Sequence, residues 1–200
     1  MQELLPGILY WGVLSEPHGY DFNGTLVRHA EGNLCIDPVE AGDALLERLA
    51  EEGVARILLT NRNHTRGALR VRERTGAPIA IHPEDAAHAR EQGVEPDAEL
   101  AVGERIGPFE VRAAPGKSPG EVVLHDAARR LLVVGDVLIG NPPGALSLLP
   151  ERVMDDPARL RTSVRGLLSL DIETIVVGDG VSVVSNAKKE LEKLVASLPR

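Results

Sequence analysis

The sequence predicts an α/β protein organised as a four-layer α/β/β/α sandwich, and three observations lead there. Strand-like and helix-like segments alternate, the strands fall in two blocks each followed by helices, and the apolar residues are overwhelmingly aliphatic. Two sheets that bury one face on each other and the opposite face under helices satisfy that pattern. Hydrophobic residues make up 43% of the 200 residues and aromatics only 2%, so Val, Leu, Ile and Ala must fill the interior. A chain of this length suits one core, and residues 1–200 are expected to form a single domain, since glycine and proline are dispersed and no linker, repeat or low-complexity tract interrupts them.

The first block opens with short apolar segments at Ile8 to Trp11 and Gly24 to Arg28, and with the strand Asn33 to Ile36, ended by Asp37-Pro38. Gly32 and Asn33 after Glu31 read as a hairpin turn. The polar, glycine-rich stretch SEPHGYDFNG reads as a loop covering one face of the domain. From Asp43 the period changes: Leu45, Leu46, Leu49 and Ala50 form a helical face and Gly53 stops it. Val54 to Thr60 is a buried strand, followed by a helix around Thr65 to Thr75, Gly76, a strand Pro78 to Ile81, and a helix opened by Pro83-Glu84-Asp85. That alternation predicts parallel pairing with crossover helices.

The second block contains FEVRAAP, GEVVLHD and RLLVVGD, with a tight connection at Asp126 to Arg130 that makes the last two antiparallel. A loop at Gly140-Asn141-Pro142-Pro143-Gly144 precedes GALSLLP, whose apolar end reads as a surface that covers a pocket or meets a partner. Leu160, Val164, Leu167 and Leu168 give a helix over Pro157 to Leu168, IETIVVGDG a last strand, and Leu191, Leu194, Val195 and Leu198 a last helix over Ala187 to Leu198.

Composition excludes some functions. The net charge is −8, and the basic clustering at Arg62, Arg66, Arg70, Arg72 and Arg74 sits at helical spacing as a solvated face, which argues against a nucleic-acid partner. So few aromatics provide no base-stacking platform. Glu3 and Pro6-Gly7 disqualify the N-terminus as a signal peptide, and no apolar run approaches the ~20 residues needed to span a bilayer. The single Cys35 lies in a buried strand as an inert core thiol and points to a reducing, cytoplasmic setting.

Four pieces carry chemistry, in chain order: LLTNRNHTRGA (Leu58 to Ala68), APGKSPGEVVLH, LLVVGDVLIG and IVVGDGVSV. With the opening NGTLVRHAEGNLCIDP they resemble the metallo-beta-lactamase superfamily, in particular its glyoxalase II-like small hydrolases. The first piece resembles the family's Thr-His-x-His-x-Asp-His-x-Gly motif, the second its Thr-Pro-Gly-His-Thr-Pro-Gly loop, the third the strand ending in the Gly-Asp that bridges two metals, and the fourth the strand ending in Gly-His-Gly. The resemblance implies the four-layer sandwich and a former metal site. By it, Asn61, Asn63, Thr65 and Arg66 stand where two His, an Asp and a His are expected. Lys117 stands at the next His, Asp136 keeps the bridging carboxylate, and Asp179 replaces the last His.

A hydrolytic pair of metals needs several imidazoles and carboxylates around a retained water, and this set keeps one expected ligand. Arg66 and Lys117 instead bring positive charge opposite Asp136 and Asp179, which predicts an ion-pair network and a domain that folds with no metal or other cofactor. His64, at a position the family leaves variable, reads as a surface histidine or one supporting the site, and His82 as a helix-entry residue, although a displaced single-metal site from His64, His82 and Asp136 stays open. His125 belongs to the edge of its strand, and His18, His29 and His88 show no ligand spacing. Ser118 beside Lys117 is a turn residue rather than a nucleophile.

Three functions remain in competition. The first is a noncatalytic or catalytically altered member binding a small anionic metabolite through Arg62, Arg66 and Lys117, with His64 and His82 as further candidates. The second is a hydrolase of esters, thioesters or phosphoesters holding an oxygen-loving cation at Asp136 with Asn61, Asn63 or Asp179. The third is a structural or interaction protein, such as a homo-oligomer, that uses the surface of the fold.

Overall fold

A computed structural model describes residues 1–199. It divides into two compact units, one spanning Met1–Ala101 and the other running from Val102 onward. Each contributes one sheet with its own helices, the element set expected of the predicted α/β/β/α fold class.

The first unit begins with β1 (Gln2–Leu5), β2 (Ile8–Ser15), β3 (Tyr20–Val27) and β4 (Asn33–Ile36), an antiparallel meander. Then come α1 (Asp43–Glu52), β5 (Val54–Leu59), α2 (Ala68–Thr75), β6 (Ile79–Ile81), α3 (Pro83–Glu91) and β7 (Ala98–Glu99). β4 to β7 pair in parallel, as the alternation predicted, and the seven strands lie in chain order. One face of this sheet packs on the helices through Leu26, Cys35, Ile57, Leu59, Ile79 and Ile81 against Leu46, Leu49, Val71 and Ala89. Each large aliphatic side chain, fully buried, contributes about 1.5–3 kcal/mol. α1 ends on Gly53 at φ 77, the left-handed stop its sequence announced.

The stretch SEPHGYDFNG is not a covering loop. β2 and β3 run on through it, in register from Ile8↔Val27 to Ser15↔Tyr20, and only a short turn remains. Its polar residues misled because an exposed hairpin needs no apolar alternation on its solvated side. β1 and the two-residue β7 and β8 also carried no period long enough to read.

The second unit contains β8 (Arg105–Ile106), β9 (Phe109–Ala113), β10 (Val122–Asp126), β11 (Leu131–Val134), α4 (Pro157–Gly166), β12 (Thr174–Val177) and α5 (Ala187–Ser197). Its sheet has the order β12-β11-β10-β9-β8, antiparallel except for the β11–β12 pair. Leu132, Val134, Ile175 and Val177 meet Leu160, Val164 and Leu191 in its core. Leu146 belongs to that core, and Leu148 and Leu149 pack against it half-buried, so the apolar end of GNPPGALSLLP packs at least in part on its own unit. β10 is paired on both sides, and the buried His125 stands next to its last residue, near the end of the strand as expected. Among the described residues no helix is long and apolar enough to cross a membrane.

Candidate functional site

In the first unit the chemistry-bearing residues gather where β4 and β5 end. β4 stops at Asp37, which has φ 47 and is 3% exposed. Its carboxylate gathers the groups just beyond the end of β5. The Thr60 amide donates to Oδ1 at 2.8 Å, the Thr60 hydroxyl donates to Oδ2 at 2.6 Å, and His64 Nδ1 lies 2.9 Å from Oδ2. His64 is 2% exposed, so it is a buried partner of Asp37 and not a surface histidine. Gly67 lets the loop close: its amide donates to the Pro38 carbonyl at 2.8 Å, and a Cβ there would sit 2.4 Å from the Val39 oxygen.

The same loop is tied to α3. Asp85, fully buried, accepts from the Arg62 amide at 2.9 Å, and the Gln92 amide group donates to the Arg62 carbonyl at 2.8 Å. The Thr65 hydroxyl donates to Gln92 Oε1 at 2.7 Å. Asn61 Oδ1 accepts from the Asn63 amide at 2.8 Å, a local turn. Arg66 lays its guanidinium over the Phe22 ring, 4.2 Å from the centroid. Arg70 and Arg74 are exposed and Arg72 is half-buried, and they pair with Asp43, Glu47 and Asp97 respectively, so part of the predicted basic face is solvated, whereas Arg62 and Arg66 are half-buried. His82 begins α3, its Nδ1 accepting from the Glu84 amide at 3.3 Å, so it serves its helix as the sequence suggested.

In the second unit the site residues lie at the ends of β11 and β12 and in the loop before β10. Lys117 Nζ is 3.2 Å from Asp136 Oδ2, with the two side chains only 8% and 7% exposed. Asp179 is also buried and offers a carboxylate oxygen within 4.8 Å of one from Asp136. The Gly140 amide donates to the Asp179 carbonyl at 2.9 Å, which ties the end of β12 to the chain after β11. Glu121, 1% exposed, accepts from the Asp136 amide at 2.8 Å through Oε1. The Lys117 loop is anchored on α4, since the Asp156 amide donates to the Gly116 carbonyl at 2.8 Å. Gly116 has φ 142, and a Cβ on it would lie 2.2 Å from the Leu160 amide nitrogen. Ser118 is fully buried and its carbonyl accepts from Gly116 at 3.1 Å, as a turn residue would.

Asp37 and Glu121 are the residues the sequence reading passed over, one as a strand stop and the other as the first residue of a strand. For Asp37, an acid directly after a buried strand was the available signal. Cys35, fully buried, has its thiol pushed far above its ordinary range by burial, with Asp37 adding to it, which makes it inert as expected.

The donor set does not fit a pair of hydrolytic metals. Of the seven positions singled out, Asn61, Thr65 and Arg66 are engaged in local turn, hydroxyl and ring contacts, and an ammonium already sits on Asp136. His64 is the one imidazole among residues 61 to 67, and its Nδ1 faces Asp37. Buried carboxylates at Asp136 and Asp179 offer oxygen ligands, which suit hard cations; what falls short of a zinc or iron pair is the imidazole nitrogen such a pair takes beside its carboxylates.

Comparison with known proteins agrees with the sequence motifs. The family model described as the metallo-beta-lactamase superfamily matches residues 1–198. A hydroxyacylglutathione hydrolase of Acidiphilium cryptum is 32% identical over 172 residues, which cover 82% of this chain but 65% of that protein. The chain therefore spans just under two thirds of that relative. Among solved structures, the di-iron-bound form of TTHA1623 is 27% identical with a TM-score of 0.66, covering 86% of this chain and 93% of the other. A metallo-beta-lactamase from Pontibacter korlensis, 17% identical, has a TM-score of 0.79 over 98% of both chains and shows the fold alone. The two sheets and their flanking helices match the four-layer α/β/β/α sandwich predicted from the sequence.

Proposed function

Since the chain belongs to the metallo-beta-lactamase superfamily, we propose that it is a catalytically altered or noncatalytic member, one domain over residues 1–200, that has given up the dinuclear metal centre. The observation that carries this reading is the buried Lys117–Asp136 ion pair at 3.2 Å. By the motif correspondence, Lys117 stands at an imidazole position and Asp136 at the bridging carboxylate. A cation approaching Asp136 would meet a fixed positive charge at contact distance, a repulsion of several kcal/mol at protein-like dielectric, on the order of 332/(εr) with ε about 20.

A small anionic metabolite remains the ligand we propose, bound through the guanidinium groups of Arg62 and Arg66 without Lys117. Lys117 is disfavoured for that role because Asp136 already takes its charge. Thermal-shift and titration experiments with phosphate and with carboxylate metabolites test this: saturable binding lost in Arg66→Ala supports it, and no binding across the panel contradicts it. The rival reading is a metal-dependent hydrolase, favoured by the hydroxyacylglutathione hydrolase relative and by the paired carboxylates of Asp136 and Asp179. Hydrolysis of a hydroxyacylglutathione thioester, assayed with and without chelator, separates the two. Chelator-sensitive turnover that disappears in Asp136→Asn would reverse the ranking.

A further inference from the structure

We infer that the Lys117 ammonium is the fixed cation of the second unit's buried acidic cluster, a tethered replacement for a divalent ion. This rests on the proposed loss of the metal centre and goes further, because it assigns Lys117 the structural task of a metal and lets the cluster take up a cation once Lys117 is removed.

Three of the second unit's buried carboxylates belong to residues gathered at Asp136: Glu121 at 1% exposure, Asp136 itself at 5% and Asp179 at 5%. Glu121 is turned to the Asp136 backbone, accepting its amide at 2.8 Å, so it braces the residue whose side chain meets Lys117. Buried carboxylates need a counter-charge, and leaving one uncompensated costs several kcal/mol. Lys117 supplies that charge from the protein itself, at 3.2 Å and with its side chain only 8% exposed. It cannot drift away, because its loop is locked: the Lys117 carbonyl accepts from the Asp155 amide at 3.3 Å, and Gly116 is pressed against α4. A long, flexible ammonium would ordinarily remain in water. Its burial on Asp136 is what a buried acidic cluster requires of a resident cation.

Taking the charge away should therefore open the cluster to an external cation. Asp136 and Asp179 place carboxylate oxygens within 4.8 Å of each other, compatible with both reaching one hard ion. Mn²⁺ is the appropriate probe, since its aqueous electron paramagnetic resonance signal disappears on binding and requires no enzymatic activity.

The experiment compares the wild-type chain, Lys117→Ala, Lys117→Met and the double variant Lys117→Ala/Asp136→Asn, each titrated with MnCl₂ and melted with and without it. The expected result is that Lys117→Ala binds Mn²⁺ about a hundredfold or more tightly than the wild type, the scale of removing one charge at contact distance. It should also regain with Mn²⁺ part of the stability lost, and the double variant should lose both effects. Lys117→Met preserves most of the side-chain bulk and keeps the test readable if the alanine variant fails to fold. Neither variant gaining Mn²⁺ affinity or Mn²⁺-dependent stability, with the wild type also metal-free, overturns the tethered-cation role while leaving the proposed loss of the metal centre intact. Tight Mn²⁺ binding by the wild type, with Lys117 in place, overturns both.

Discussion

Asp37 shows how one side chain organises a loop. Its two oxygens hold the Thr60 amide, the Thr60 hydroxyl and His64, all in the interior of the first unit. Deleting such an acceptor leaves several buried donors with nothing to replace it, so Asp37→Ala is expected to cost about 3–5 kcal/mol in a urea or guanidinium titration. Thr60→Val removes one hydroxyl and keeps the shape, and should cost less, about 1–3 kcal/mol. Equal costs would mean that the network is not centred on the carboxylate. Much of this was hidden from sequence reading, which weighs His64 by its neighbours in the chain and cannot see the carboxylate 27 positions earlier. Lys117 was easier to read, because the family resemblance sets it at a former metal-ligand position opposite Asp136 and so implied an ion pair, which the structure contains.

At the scale of elements, close backbone contacts hold the site loops in place. The loop bearing Lys117 approaches α4 so nearly that Gly116 has no room for a Cβ, and its φ of 142 is a left-handed-side value that side chains avoid. Gly116→Val combines overpacking with backbone strain and should lower stability by about 2–5 kcal/mol. Gly76→Ala provides the contrast. Gly76 ends α2 at φ 73 with open space around it, so strain alone acts there and about 1 kcal/mol is expected. Chemical denaturation of both variants checks the pair, and an equal loss at the two positions would deny the close approach. Exposed ion pairs between elements matter less. Arg28, just past the end of β3, holds Glu52 of α1, and this hydrogen bond and charge lower the Glu52 pKa. A depressed carboxylate contributes stability above its unfolded pKa and loses it as pH falls through the folded value. Arg28→Ala should therefore lower the melting temperature slightly at neutral pH and make no difference once the carboxylate is protonated in acid. Helix and strand positions were legible at this scale because the aliphatic periods are long and the stops are glycines with left-handed φ, as at Gly53 and Gly76. The β2–β3 hairpin was misread as a loop because its outer half is solvated and its polar residues follow no burial pattern.

At the scale of the whole molecule, the chain keeps the architecture of its superfamily, and on the proposed reading the residues at its motif positions have changed character. The fold survives because the aliphatic cores of the two units do not depend on the motif loops: Leu49, Ile57 and Leu59 in one, and Val134, Leu160 and Leu191 in the other, are fully buried. The chemistry of the site depends on very few atoms by comparison, and on the proposed reading one lysine at the carboxylate of Asp136 changes it. The measurement that tests this most directly is the metal content of the wild-type protein, prepared with iron, manganese and zinc supplied and read by elemental mass spectrometry after removal of loosely bound ions. The account predicts metal far below one equivalent and a melting temperature unchanged by chelator. One or two equivalents of tightly held metal, lost together with stability when Asp136 is replaced by asparagine, would contradict it.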